Sequence, residues 1–229
     1  MMQGLAPEKI VYQDEFLLVV NKDSGILSIP DGYDPHLPSL PDLLQPQFGK
    51  VWVVHRLDKE TSGLMVFCRS AEAHTELNRQ FREREVEKQY LALARPLPTW
   101  QSMTVSLPLR INAGRSHLTK VDPLHGKAAQ THFKLKESKK GAGLFECFPQ
   151  TGYRHQIRAH FYAQGIQIIG DKIYKPIEHP QIIFDDAPRL MLQAQALGFC
   201  HPLTAKKLSF ALEADPAMME YWQRLNPLL

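Results

Sequence analysis

The densest chemistry in this sequence is one carboxylate set among basic and hydroxyl side chains: His55-Arg56-Leu57-Asp58-Lys59-Glu60-Thr61-Ser62-Gly63. The segment lies between two apolar runs, Val51–Val54 and Leu64–Cys68, with the length and the β-branched or aromatic content of strands. A short loop gripped by two buried strands holds a polar group still at the edge of a core. Asp58 follows Arg56 closely and precedes a Thr-Ser-Gly turn able to supply hydroxyl and backbone donors. Such neighbours suit a carboxylate kept ionised. From residue types alone the commoner reading competes: a loop Asp paired with Arg56 or capping a turn.

Other chemistries fit less well. Ser62 lacks the glycine two residues earlier that a nucleophile elbow needs, so no serine hydrolase is read here. His155 and His160 are five apart, off the i, i+4 spacing of helical metal pairs, and no metal is expected. The GxG at Gly141–Gly143 has no helix pattern after it and makes a poor phosphate loop. The 3 cysteines, Cys68, Cys147 and Cys200, are far apart and odd in number; they read as buried small hydrophobes in a reducing cytoplasm. No apolar run is long enough to cross a bilayer, and no signal peptide is visible at the N-terminus.

The net charge of +3 permits nucleic-acid binding without demanding it. The local distribution says more. Arg79, Arg82, Arg84 and Lys88 form one basic run, Arg110, Arg115 and Lys120 a second, and Arg154 and Arg158 a third. Each run alone is usually a solvated face, but three runs flanking one motif suit a phosphate-tracking surface.

The elements that must position these groups read as follows. Ile10–Gln13 and Phe16–Asn21 form a hairpin. Gly25–Pro30 is extended, and the proline-bearing Asp31–Lys50 is loop with one helical turn near Pro41–Leu44. Ser70 caps a helix over 71–84, striped by Ala73, Leu77 and Phe81. Strands are expected at Glu87–Ala94, Ser102–Arg110, His117–Val121, Ala129–Lys136, Leu144–Gln150, Leu190–Phe199 and Lys207–Glu213. Gly141-Ala142-Gly143 serves as a turn between two of them. Helices are expected at Arg154–Gln164, closed by Gly165, and at Pro216–Leu225. Short strands with few helices and no βαβ alternation give an α+β fold: a mixed, mainly antiparallel sheet core with flanking helices, as a single domain over 1–229.

HRLDKETSGL resembles the signature loop of the pseudouridine synthases, in particular the family of ribosomal large subunit pseudouridine synthase A. The resemblance continues through Asn21-Lys22, QFREREVEKQY (80–90), TGYRHQIRAH (151–160), Gly170-Asp171-Lys172-Ile173-Tyr174 and APRLML…HPLT (187–204). It implies an RNA isomerase of the pseudouridine synthase catalytic fold, free of cofactor and metal. Its partner is RNA: stem-loops of 23S rRNA and a tRNA anticodon stem-loop. A monomer is expected, without the N-terminal S4-type RNA-binding domain that larger relatives carry.

The same resemblance implies residue roles. Asp58 is the catalytic carboxylate, with attack at C1′, attack at C6 and deprotonation at C2′ all open. Arg158 pairs with it, and Tyr90 packs over the target base with proton transfer as a second use. Arg56 fills the space left by the flipped uridine, a task suited to a planar guanidinium. Arg79, Arg82, Lys88 and Arg154 face RNA, while His55, Thr61, Ser62, Gly63 and His155 support the site. Four departures from the family pattern stand out: Asp23 for Pro, Tyr153 for Arg, Gln193 for His and Ala205 for Gly. Two other classes compete: a catalytically silent RNA-binding module on the same fold, and a hydrolase that would need Glu60 as second carboxylate.

Overall fold

The computed structural model describes residues 4–32, 34, 36–113, 118–175 and 186–225. Its contacts divide into two compact units, Met1–Glu87 with Ala194–Glu213 and Lys88–Gln193 with Ala214–Leu229. The fold is the α+β, mainly antiparallel type that the strand-rich sequence implies.

In the first unit, β1 (Ile10–Gln13) and β2 (Leu17–Lys22) form the hairpin. Asp14 fixes its turn, Oδ1 accepting the amides of Phe16 and Leu17 at 2.8 and 2.7 Å. β2 pairs antiparallel with β4 (Ser62–Cys68), which is buried along its whole length. Only a two-residue β3 (Trp52–Val53) forms from the Val51–Val54 run, half-buried against β4. α2 (Ala71–Glu83) starts where Ser70 Oγ accepts the Ala73 amide at 3.2 Å and ends at Arg84, in left-handed geometry. Ala73, Leu77 and Phe81 seat α2 on the strand core around Leu17, Val66 and Phe199. β12 (Leu192–Cys200) begins in the second unit and ends in the first, where it pairs with β13 (Lys207–Ala211).

One element exceeds expectation. α1 (Leu40–Phe48) spans 9 residues where a single turn is expected, with Pro46 inside it. The Ser39/Asp42 capping box and Pro41 in the first turn start it strongly. Pro46 removes one N–H in the last turns, and the helix stops soon after at Gly49. Gly25–Pro30 forms no named strand; Leu27 makes one isolated bridge to Ser39.

In the second unit, β5 (Glu87–Arg95), β10 (Ala142–Pro149), β9 (Thr131–Lys139) and β6 (Ser102–Val105) lie in that order, all antiparallel. β11 (Gln167–Ile168) pairs with β5 at Arg95 and Ala94. The run expected as one strand over Ser102–Arg110 splits, because Pro108 can donate no ladder bond. β7 (Leu109–Ala113) pairs instead with β8 (Leu118–Val121) as a separate ribbon. The β9–β10 turn is Lys140-Gly141, both at positive φ (51° and 77°), and Gly143 lies within β10. Gly143 is packed there, since a Cβ would meet Leu135 and Phe145 side chains at 2.6 Å or less.

α3 (Gln156–Ala163) begins two residues later than the spacing suggests because His155 is left-handed at φ 55°. Its residues from Gln156 to Phe161 are all buried, which a surface helix is not. Phe161 packs on Phe133 and Phe145 at ring distances of 4.2 and 5.3 Å. α4 (Pro216–Arg224) is capped by Asp215, whose side chain accepts the Ala217 and Met218 amides.

Cys68 and Cys147 are buried as expected, but Cys200 is exposed at the end of β12. Burial pushes the Cys68 thiol up to about 12, so it stays an inert thiol. Among the described residues no helix is long and apolar enough to cross a membrane.

Candidate active site

Asp58 is half-buried in the β3–β4 connection, and the backbone on both sides of it is pinned from the 22–28 segment. The buried Ser28 hydroxyl donates to the Leu57 carbonyl at 2.8 Å and accepts the Leu57 amide at 3.0 Å. Lys22 Nζ, wholly buried, donates to the carbonyls of Lys59, Asp23 and Ile26 at 2.9, 2.9 and 2.7 Å. An ammonium inside protein is tolerable only with such a set of acceptors. The Gly25 amide also reaches the Lys59 carbonyl at 2.9 Å, and the Ser24 hydroxyl the Glu60 carbonyl at 2.8 Å. Thr61 closes the turn, its amide donating to the Asp58 carbonyl at 3.0 Å. A carboxylate carried on a backbone held at each neighbouring residue is preorganised.

The supporting residues divide by role. His55 Nε2 accepts the Val66 amide at 3.0 Å, and its ring stacks on Phe81 at 4.7 Å and 19°. An imidazole whose lone pair is spent on a strand amide is scaffold. Gly63 sits at φ 113°, where a Cβ would lie 2.1 Å from the Ala194 carbonyl oxygen, so only glycine fits. The hydroxyls of Thr61 and Ser62 are buried and have no hydrogen-bond partner among the described residues. They therefore do not brace the Asp58 carboxylate, as the Thr-Ser-Gly turn suggests, but are left with donors unspent. Arg56 is exposed.

The HQIR segment is organised around Gln156 and Arg158, both buried. Gln156 Oε1 accepts the Thr151 hydroxyl at 2.7 Å and the Tyr153 amide at 3.2 Å. Its Nε2 donates to the Gln130 carbonyl and Thr131 Oγ1 at 2.9 and 3.0 Å, fixing the turn before α3. Arg158 binds Asp171 with two parallel bonds, Nε to Oδ2 at 2.7 Å and Nη2 to Oδ1 at 2.8 Å. His155 Nδ1 meets the Tyr174 hydroxyl at 3.1 Å, and Arg158 lies 5.1 Å from the Tyr174 ring centre. Burial pushes the Tyr174 hydroxyl above, and the His160 imidazole below, their usual values. Tyr90 is half-buried in β5, opposite Cys147 and against the Phe133–Phe145 core.

The basic residues are not equivalent. Arg82 is 72% exposed and reaches Glu83 at 3.4 Å. Arg79 is held by Glu76 at 2.8 and 3.0 Å, by Glu85 at 2.9 Å, and by Glu83. Its hydrogen bonds hold the Glu76 and Glu85 carboxyls below the usual range. Lys88 Nζ donates to the Thr151 carbonyl at 3.2 Å; Arg154 is exposed. Arg110 and Lys120 face solvent as a cross-strand pair on the β7–β8 ribbon, while Arg115 lies outside the described residues. Among the described residues no three His, Cys, Asp or Glu side chains converge on a possible metal position.

Lys22, Ser24, Ser28, Gln156 and Asp171 are the supports that sequence reasoning missed. Each acts on residues far along the chain or through backbone atoms. The available signals were a lysine inside an apolar strand run, LLVVNK, and a Ser-Gly turn after it.

Comparisons with known proteins agree on the class. The family model for RNA pseudouridylate synthase matches residues 16–163. The chain belongs to the RNA pseudouridylate synthase family. It is 38% identical over 207 residues to the dual-specificity RNA pseudouridine synthase RluA of Escherichia coli (strain K12), covering 90% of this chain and 93% of that protein. The RluA of Salmonella typhimurium matches with the same identity and coverage, and that of Haemophilus influenzae is 38% identical over 212 residues. Among solved structures, human RNA pseudouridylate synthase domain containing 1 superposes with a TM-score of 0.75 at 26% identity, covering 96% of each chain. Human RNA pseudouridylate synthase domain containing 4 shares the fold, with a TM-score of 0.77 at 22% identity over 96% of this chain and 95% of that one.

Proposed function

We propose that this protein isomerises specific uridines to pseudouridine in stem-loops of 23S rRNA and of tRNA, as a monomer in the cytoplasm. Asp58 is the catalytic carboxylate. The reaction breaks the N1–C1′ bond, joins C1′ to C5, releases the C5 proton and returns one to N1; it has no net redox change. Tyr90 stacks on the extruded base, Arg158 serves as the cation of the reaction, and Arg56 occupies the vacated place in the RNA stack. Lys88, Arg154 and Arg82 draw the phosphates, while Arg79 stays in its ion pairs with Glu76, Glu83 and Glu85.

The observation that carries this reading is the loop at Asp58. Its flanking backbone is fixed by Lys22, Ser24 and Ser28, in a chain 38% identical to dual-specificity relatives over 90% of its length. Tritium release from 5-³H-uridine tests it, using 23S rRNA fragments and bulk tRNA separately. Release from both RNAs is expected. Release from one removes the other substrate, and tight binding without release from either makes the protein a silent RNA-binding module.

A further inference from the structure

We propose that Asp171 is a positioning residue for Arg158, setting the plane and direction of its guanidinium for catalysis. The inference rests on the proposed function and deepens it. Arg158 and Asp171 side chains are 5% and 1% exposed, so the pair is sealed from water. The two parallel bonds fix the Nε–Nη2 edge of a rigid fork and thereby the direction of every remaining N–H.

Asp171 can serve as an anchor because it is itself immobile. Its Oδ1 accepts the amides of Ile173 and Tyr174 at 2.8 and 3.1 Å. Its own carbonyl accepts Gln167 Nε2 at 2.8 Å, and its amide reaches the Ile168 carbonyl at 3.0 Å. Gly170, just before it, sits at φ 77°, where a Cβ would lie 1.9 Å from the Arg189 carbonyl oxygen. The Tyr174 ring then stands against the guanidinium. Its hydroxyl is tied to Thr119, donating to the carbonyl and accepting the amide at 3.0 Å each. The arginine is thus held along one edge by a carboxylate and beside a fixed ring. For stability alone, apolar residues of similar volume serve such a buried position as well or better. A charged fork held this firmly is suited to presenting its remaining donors in one direction.

The test is single-turnover tritium release by the full chain, with RNA affinity measured in parallel, for wild type, Asp171→Asn, Arg158→Ala and the double variant. A misplacement near 1 Å costs about 10²-fold in rate. Asp171→Asn is therefore expected to lose about that factor in rate with RNA affinity unchanged, and to lose nothing further in the Arg158→Ala background. Asp171→Glu keeps the charge but displaces it by one methylene. It is expected to fold and to slow release by about 10²-fold, which covers the case in which the Asn variant does not fold. Wild-type rates in either Asp171 variant overturn the proposal. So does an equal loss from Asp171→Asn with and without Arg158, the mark of a merely structural role. Absence of release by wild type overturns the proposed function itself, and this inference with it.

Discussion

Replacing Gly63 by alanine tests how the chain holds the end of the loop that carries Asp58. Gly63 is at φ 113°, and its added Cβ would stand 2.1 Å from the Ala194 carbonyl oxygen, where ordinary contact begins near 3.4 Å. Backbone in β4 or β12 must move by more than 1 Å, and no flexible side chain is available to yield instead. Left-handed strain on a non-glycine residue costs about 1–2 kcal/mol, and overpacking a filled core about 1–3 kcal/mol. The expected loss is about 2–5 kcal/mol, a large share of the ~5–15 kcal/mol that holds a domain together. For a chain of this size that lowers the melting temperature by roughly 10 °C. Gly25→Ala is the internal control, because Gly25 sits at φ 89° with nothing within 4 Å of an added methyl. It carries the strain without the clash and loses only about 1–2 kcal/mol. Urea midpoints of the two variants at equal m-value make the comparison. Equal losses would refute the argument that the Ala194 carbonyl is what demands glycine at position 63.

Three further outcomes are expected. Ala205 occupies φ 55°, so Ala205→Gly relieves left-handed strain and stabilises the protein by about 0.5–1 kcal/mol, read as a raised urea midpoint. Arg82→Ala lowers the slope of log affinity for RNA against log salt by about 1. Arg79→Ala leaves that slope unchanged, because Glu76, Glu83 and Glu85 already neutralise the Arg79 charge. Burial alone would raise the Asp215 carboxyl, but bonds from Arg189 and from the Met218 and Ala217 amides pull it below the ordinary 3.8. A depressed folded-state value stabilises the protein above the unfolded value, and that contribution is lost as pH falls through the folded one. Asp215→Asn should therefore flatten the fall in urea midpoint below about pH 4 while lowering the midpoint at neutral pH.

What was legible in the sequence is what local chemistry decides. Ser70 and the Ala73–Leu77–Phe81 stripe announce α2, and Asp14 marks the β1–β2 turn, because cap and periodicity act within a few residues. The misses have equally physical causes. α1 absorbs Pro46 because its N-terminal capping box outweighs one missing amide bond near the C-terminal end. α3 starts late because His155 takes a left-handed conformation that its residue type does not advertise, held there by contacts such as its bond to Tyr174. The site shows the same division. HRLDKETSG is visible as a dense polar loop between apolar runs, and the resemblance assigns its roles. Its restraint by Lys22, Ser24 and Ser28, and the gripping of Arg158 by Asp171, join residues 13 to 37 apart through atoms that periodicity does not report.

The most direct measurement is tritium release from 5-³H-uridine RNA by wild type and by Asp58→Asn, with RNA affinity followed in the same samples. Wild type should release tritium, and Asp58→Asn should release none while binding RNA as tightly, since surface shape and basic side chains are unchanged. Release by the Asn variant at a rate near wild type would contradict the assignment of Asp58 as the catalytic carboxylate.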